Sequence, residues 1–186
     1  MRVGNAPVGG RIGRDLLENE GPDSLGVGTM QEVYGNLWEV PCDLRVITTN
    51  GVVNRSGAAV MGRGCALQAK SKVPGIEYHF AKRLREHGNR AMLLARLPDG
   101  SRLASFPVKH HWRRPAVPEL IRRSADQLVA LVDKFSESHG IESVVLPRVG
   151  CGNGSLRWED VGPLLSGVLD DRFSVVTLPE GPTPPG

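Results

Sequence analysis

The stretch Leu146-Pro147-Arg148-Val149-Gly150-Cys151-Gly152-Asn153-Gly154-Ser155-Leu156-Arg157-Trp158 is where the fold of this chain is read. The residues leading into it, 141–146, are a short, β-branched run that reads as a buried strand. Those that follow, 158–169, carry apolar residues at helical spacing. The stretch is therefore a strand, a glycine loop and a helix. Gly150, Gly152 and Gly154 let the backbone turn tightly and aim several N–H groups into one concavity, where a phosphate is held without a lysine. An ordinary glycine turn is spelled the same way, and two further stretches bear on the choice.

Outward from this loop, 118–139 places Ile121, Leu128, Leu131, Val132 and Phe135 on one helical face and stops at Gly140. Segments 91–97 and 102–108 flank Pro98-Asp99-Gly100, a turn sequence, and predict a hairpin. A helix over 76–87 has Ile76, Phe80 and Leu84 on one face and Gly88 just past its end. A shorter helix over 65–71 stops before Pro74. Strands are predicted at 33–37, 45–49 and 173–178. This alternation, with one hairpin, predicts an α/β fold: a mixed sheet covered by helices on both faces. Ligands in such sheets bind at the carboxyl ends of the strands, where the glycine loop sits. Residues 1–29 are glycine-rich with little periodicity. They read as a disordered or flexible extension, with a helical turn at 15–19 that nothing anchors. The domain proper runs over 30–179, and 180–186 reads as a flexible tail.

A chain of 186 residues with 40% apolar content fits one soluble domain with a sizeable core. The net charge of +3 and a pI near 9.0 suit an anionic ligand. They fall short of the dense basic face of a dedicated nucleic-acid binder. Cys42, Cys65 and Cys151 are widely spaced and lack a Cys-x-x-Cys pair, so neither a disulfide framework nor a zinc site is expected. A reducing cytoplasm, a monomer and no cofactor are the expectation. No apolar run approaches membrane-spanning length, and no signal-peptide core stands at the N-terminus.

The second stretch runs over 48–68, from the end of a strand at Thr49 through Asn50, Asn54, Gly57, Val60, Met61, Gly62, Arg63 and Gly64 into a helix. It is a second glycine loop that opens on a helix N-terminus, where amides and the helix dipole favour an anion. It is neither a Gly-x-Gly-x-x-Gly nor a Walker A sequence, which counts against a dinucleotide dehydrogenase or a nucleotide triphosphatase. Its asparagines also fit as local turn residues. The third stretch, Ser105-Phe106-Pro107-Val108-Lys109-His110-His111-Trp112-Arg113, sets Lys109 at a strand end. Such a lysine is either a surface charge or, partly desolvated beside other cations, a nucleophile with a lowered pKa. His110, His111, Arg113 and Arg114 supply those cations. The paired histidines lack an Asp, Glu or Cys at ligand spacing, so no metal is expected.

Together these stretches resemble the macrodomain family, which binds ADP-ribose, and within it the DarG-type branch that reverses ADP-ribosylation of DNA. The carriers are Gly35-Asn36-Leu37, Asn50, Asn54, the run from Val60 to Gln68, the run from Phe106 to Arg113, and Leu146-Pro147 with the run from Gly150 to Trp158. The resemblance implies a three-layer α/β/α sandwich with a mixed central sheet. It implies that loops containing Val60, Met61, Gly62, Arg63 and Gly64, and Pro147, Val149, Gly150, Cys151, Gly152, Asn153, Gly154, Ser155 and Leu156, clasp the pyrophosphate and distal ribose. Asn54 would touch the distal ribose, Asn50 would stand in the first loop, and Asn36 would lie near the adenine. Lys109 matches the branch's catalytic lysine. A related deacylating branch carries an aspartate in the second glycine loop; here that position is Gly154.

The function implied is an ADP-ribosyl hydrolase that removes ADP-ribose from DNA or protein, with contact to single-stranded nucleic acid. The alternatives are a reader that holds ADP-ribose without turnover, and a phosphatase or deacetylase acting on ADP-ribose esters. Lys109 in its basic, aromatic setting favours the enzyme, because a reader has no use for a lysine there.

Overall fold

The computed structural model describes residues 29–178. The expectations for 1–28 and for the tail lie outside the described residues. Along the chain stand β1 (Gln31–Tyr34), β2 (Leu44–Asn50), α1 (Gly64–Lys72), α2 (Ile76–His87), β3 (Met92–Arg96), β4 (Arg102–Lys109), α3 (Pro118–His139), β5 (Val144–Pro147), α4 (Trp158–Ser166) and β6 (Phe173–Thr177). The strands form one six-stranded sheet in the order β1-β6-β5-β2-β4-β3. Every neighbouring pair is parallel except the β3–β4 hairpin.

Strand parity divides the core in two. Leu44 and Val46 of β2, with Ala104, Phe106 and Val108 of β4, face Ile121, Leu128 and Val132 of α3 and Val161 and Leu165 of α4. The next residues in register, Ile47 and Leu103, face Ala66 and Ala69 of α1 and Phe80, Ala81 and Leu84 of α2. The sheet is thus sandwiched between α3/α4 and α1/α2, the α/β/α architecture the spelling predicts. Each large side chain buried this way contributes about 1.5–3 kcal/mol.

Helices α2 and α3 end where their glycines predict. Gly88 and Gly140 adopt positive φ (75° and 62°), and their amides return to Leu84 and Ser136. Most other boundaries shift by a residue or two, and three differ from expectation by more. β1 stops at Tyr34 because Asn36 forms a turn, its Oδ1 accepting from the amide of Trp38. β5 begins at Val144, not 141, because Asp43 captures the preceding residues: its Oδ2 accepts from the amides of Glu142 and Ser143 and from the Ser143 hydroxyl. α4 ends at Ser166, just before Gly167. No helix among the described residues is long and apolar enough to cross a membrane.

Candidate active site

The carboxyl ends of β2, β4, β5 and β6 open into a cleft of about 1060 Å³. Thr48, Thr49 and Asn50 of β2, Val108 and Lys109 of β4, Pro147 of β5 and Val176 of β6 contribute to its lining. The first glycine loop forms one wall. Asn50 knits that loop shut: its Nδ2 donates to the carbonyl of Val60 at 2.9 Å, and its Oδ1 accepts from the amide of Val52 at 3.0 Å. The loop leads through Gly62, Arg63 and Gly64 into α1, whose first turn holds no acidic residue and whose N-cap makes no side-chain hydrogen bond. The free amides of that turn, with the helix dipole, favour an anion in the cleft. Thr49, on the floor, is 4% exposed, and its hydroxyl has no partner among the described residues.

The second loop forms the facing wall, and its three glycines divide the labour. Gly150 has φ +77°, and a Cβ there would meet Ile121 Cδ1 at 2.8 Å. Its carbonyl accepts from the amide of Leu156, which closes the loop on itself. A Cβ on Gly154 would run into that same carbonyl and stand 2.8 Å from Gly150 Cα. Gly150 and Gly154 are therefore demanded by the loop's own packing. Gly152 is the one that faces open space, with nothing within 4 Å of a Cβ. Ser155 adopts a left-handed φ of 62°, rare for a residue with a side chain. The helix that follows is not part of this wall. Trp158 does not line the cleft, and Glu159 and Asp160 already complement the first turn of α4. Among the described helices, the anion-favouring terminus at the cleft is that of α1.

Lys109 is the last residue of β4 and is 7% exposed. Its Nζ donates to the carbonyl of Asn153 at 2.6 Å, so it bridges β4 and the second loop. Burial is the main cause that lowers its pKa, and the charge of Arg63 across the cleft adds to it. None of the four cations expected to do this, His110, His111, Arg113 and Arg114, is among the causes. His110 and His111 are exposed and outside the cleft, while Trp112, Arg113 and Arg114 line its mouth.

Of the residues expected at the site, the cleft brings together Asn36, Asn50, Val60, Met61, Gly62, Arg63, Gly64, Lys109, Pro147, Gly150, Gly152, Asn153, Gly154 and Ser155. Four stand elsewhere. Asn54 is exposed and caps its own turn, its Oδ1 accepting from Ser56 and from the amide of Ala58. Val149 is fully buried in the core, and Cys151 and Leu156 pack against that core. Lining residues that sequence reasoning did not single out include Thr48, Thr49, Cys65, Gln68 and Arg148. The first four fall inside the second stretch, and their position at a strand end or helix start was the available signal. Gly35, Leu37 and Leu178 enter from the β1–β6 side, where spacing carries no signal.

An α/β/α domain whose parallel strands end in a cleft between two glycine loops, with no Asp or Glu among the described lining residues, is an anion-binding domain. The chain belongs to the Macro domain family, which it matches over residues 53–165, more than half its length. It is 32% identical over 144 residues to a Thermus aquaticus protein named DNA ADP-ribosyl glycohydrolase, covering 74% of this chain and 37% of that one. A Mycobacterium tuberculosis protein of the same name is 31% identical over 148 residues, covering 75% and 41%. The chain thus spans about two fifths of the length of these curated relatives. Among solved structures, the macrodomain of Mycobacterium tuberculosis DarG matches with a TM-score of 0.68 at 28% identity, over 83% of this chain and 99% of that one.

Proposed function

We propose that this macrodomain binds ADP-ribose in the cleft and hydrolyses ADP-ribosyl linkages, releasing ADP-ribose from modified DNA or protein. The relatives named DNA ADP-ribosyl glycohydrolase support DNA as the first acceptor to try. In this reading the amides of the first loop and of α1 hold the pyrophosphate, and Gly152 leaves room for its approach. Asn36 lies toward the adenine. The free amine of Lys109 adds to the anomeric carbon of the distal ribose while the bond to the acceptor breaks and the acceptor leaves with a proton. Water then displaces the lysine and frees ADP-ribose. The observation that carries this reading is Lys109 itself: buried, with a lowered pKa, between the two loops of an anion-favouring cleft.

A second reading has an observation of its own. The bond from Lys109 to the Asn153 carbonyl would also brace the second loop in a reader that never turns over. Turnover on ADP-ribosylated single-stranded DNA, on automodified protein and on ADP-ribose phosphate ester separates the two. Release of ADP-ribose from either of the first two supports the hydrolase; tight binding without release from any supports the reader; activity on the ester alone supports an esterase. The unpaired Cys42, Cys65 and Cys151 fit a reducing cytoplasm as the proposed setting.

A further inference from the structure

We infer that Arg148 is the platform on which the nucleobase of the ligand stacks, so that the cleft holds the base by its face rather than by its edge. This rests on the reading of the cleft as an ADP-ribose site with Lys109 at the acceptor end. Lys109 ends β4, and the sheet order sets β1 four strand spacings away, about 19 Å at the usual distance between neighbouring strands. The loop into α1 follows β2 and lies between them. With the pyrophosphate held there, the base falls at the β5–β6–β1 end, against Asn36, Leu37, Pro147, Arg148 and Leu178. None of these is aromatic. Trp112, the one aromatic side chain among the described lining residues, follows β4 and stands at the Lys109 end. Tyr34, at the end of β1, is exposed and does not line the cleft.

Arg148 is built as a fixed plane rather than a loose charge. Its Nη2 donates to Glu32 Oε2 at 3.0 Å, and Glu32 Oε1 accepts from the indole Nε1 of Trp158 at 3.0 Å. The guanidinium carbon lies 5.2 Å from the centre of the Trp158 ring. One carboxylate thus braces both side chains, with Trp158 behind the guanidinium and the cleft on its other side. Arg148 Nε is buried and has no partner among the described residues. A guanidinium held in this way stacks on a base with little further ordering. The polar groups that could read the base's edge are engaged elsewhere. Asn36 Oδ1 accepts from the amide of Trp38, and its Nδ2 donates to Glu39 Oε1, both at 3.0 Å. Gln68 Oε1 accepts from the indole Nε1 of Trp38 at 2.7 Å. Leu37, Pro147 and Leu178 cover a base without discriminating its hydrogen-bonding groups.

The test is calorimetry with ADP-ribose, with its 1,N6-etheno derivative, whose adenine edge is blocked while its face is kept, and with guanosine diphosphate ribose. No turnover is needed, so failure of the hydrolase reading leaves the outcome readable. The parent should bind all three with similar affinity. Arg148→Ala should weaken each on the order of tenfold. Arg148→Lys keeps the charge and loses the plane, and should weaken them nearly as much. Tyr34→Ala should leave them unchanged. Thermal melts show whether each variant is folded, and the comparison of the three ligands on the parent needs no variant. An etheno derivative bound more weakly than ADP-ribose by on the order of tenfold or more would mean that the edge is read, and overturns the proposal. So does an Arg148→Lys variant that binds like the parent, since Arg148 would then serve a phosphate. ADP-ribose affinity undiminished in Arg148→Ala removes the platform and leaves the reading of the cleft. A parent that binds none of the three removes both.

Discussion

The Nζ of Lys109 is held at 2.6 Å by the main-chain carbonyl of Asn153, a neutral acceptor, in a cleft that no described carboxylate lines. The next residue, Gly154, has no room for a side chain against Gly150, so the loop cannot present an aspartate there without rebuilding itself. Lys109 is therefore desolvated and faces Arg63 with no counter-charge, and its pKa is lowered by burial first and by Arg63 second. Both causes disfavour the ammonium and favour the free amine.

Arg63→Ala removes the like charge and should raise the pKa of Lys109. If the free amine acts, kcat/KM on ADP-ribosylated DNA rises with pH through that pKa, below the usual ~10.4. The rise should move to higher pH in Arg63→Ala. A profile that stays in place, or moves to lower pH, would show that Arg63 does not set the protonation of Lys109.

Gly152 and Gly154, two residues apart, should respond in opposite ways. Gly152→Glu meets open space, so the melting temperature should stay near the parent's while ADP-ribose binding is lost to bulk and negative charge. Gly154→Ala drives a Cβ into the Gly150 carbonyl and should cost on the order of 1–3 kcal/mol of stability. Thermal melts and calorimetry of the two variants check this. A Gly152→Glu variant that binds ADP-ribose like the parent would leave the second loop a structural turn.

The asparagines of the first loop divide in the same manner. Asn50→Ala loses the bonds to Val60 and Val52 that shape the wall of the cleft. It should destabilise the protein by about 1–3 kcal/mol and weaken ADP-ribose binding. Asn54→Ala lies away from the cleft, and its ADP-ribose affinity should stay within about twofold of the parent. A large loss of affinity in Asn54→Ala would mean that the 54–58 turn swings into the cleft when ligand binds.

Asp43 ties β2 to β5 across the far end of the sheet and predicts acid sensitivity. Burial raises its pKa, but the hydrogen bonds from Ser143 and Glu142 outweigh it and hold the carboxyl below its ordinary value. A depressed pKa means stability that is present above the unfolded value, ~3.9, and lost as pH falls through the folded one. Asp43→Asn should therefore destabilise the protein at pH 7, by about 1–3 kcal/mol. The difference from the parent should shrink as pH drops below ~4. A constant difference across that range would remove the ionised carboxylate as the cause.

The fold was legible where local chemistry and packing agree. The apolar faces and terminal glycines of α2 and α3 predict both helices to the residue. β1 and β5 were misplaced because side chains, not strand propensity, decide their starts and stops: Asn36 turns the chain out of the sheet, and Asp43 claims the residues before Val144. The site was legible as two glycine loops and a lysine, since a strand end followed by glycines carries its own geometry. What each residue does there was less so. Gly150 and Gly154 serve the loop rather than a ligand, Asn54 serves a turn, and Arg63 rather than the histidines faces Lys109. These are relations across long sequence separations, and local spelling does not encode them.

The most direct measurement is release of free ADP-ribose from an ADP-ribosylated single-stranded oligonucleotide by the parent and by Lys109→Ala, with ADP-ribose affinity measured on both by calorimetry. The parent should release ADP-ribose and bind it with a Kd in the micromolar range, roughly −8 kcal/mol. Lys109→Ala should lose on the order of 10²-fold or more in rate with binding largely kept. A parent that binds but releases nothing from DNA or protein, or a Lys109→Ala variant as fast as the parent, would contradict Lys109 as the reacting group of an ADP-ribosyl hydrolase.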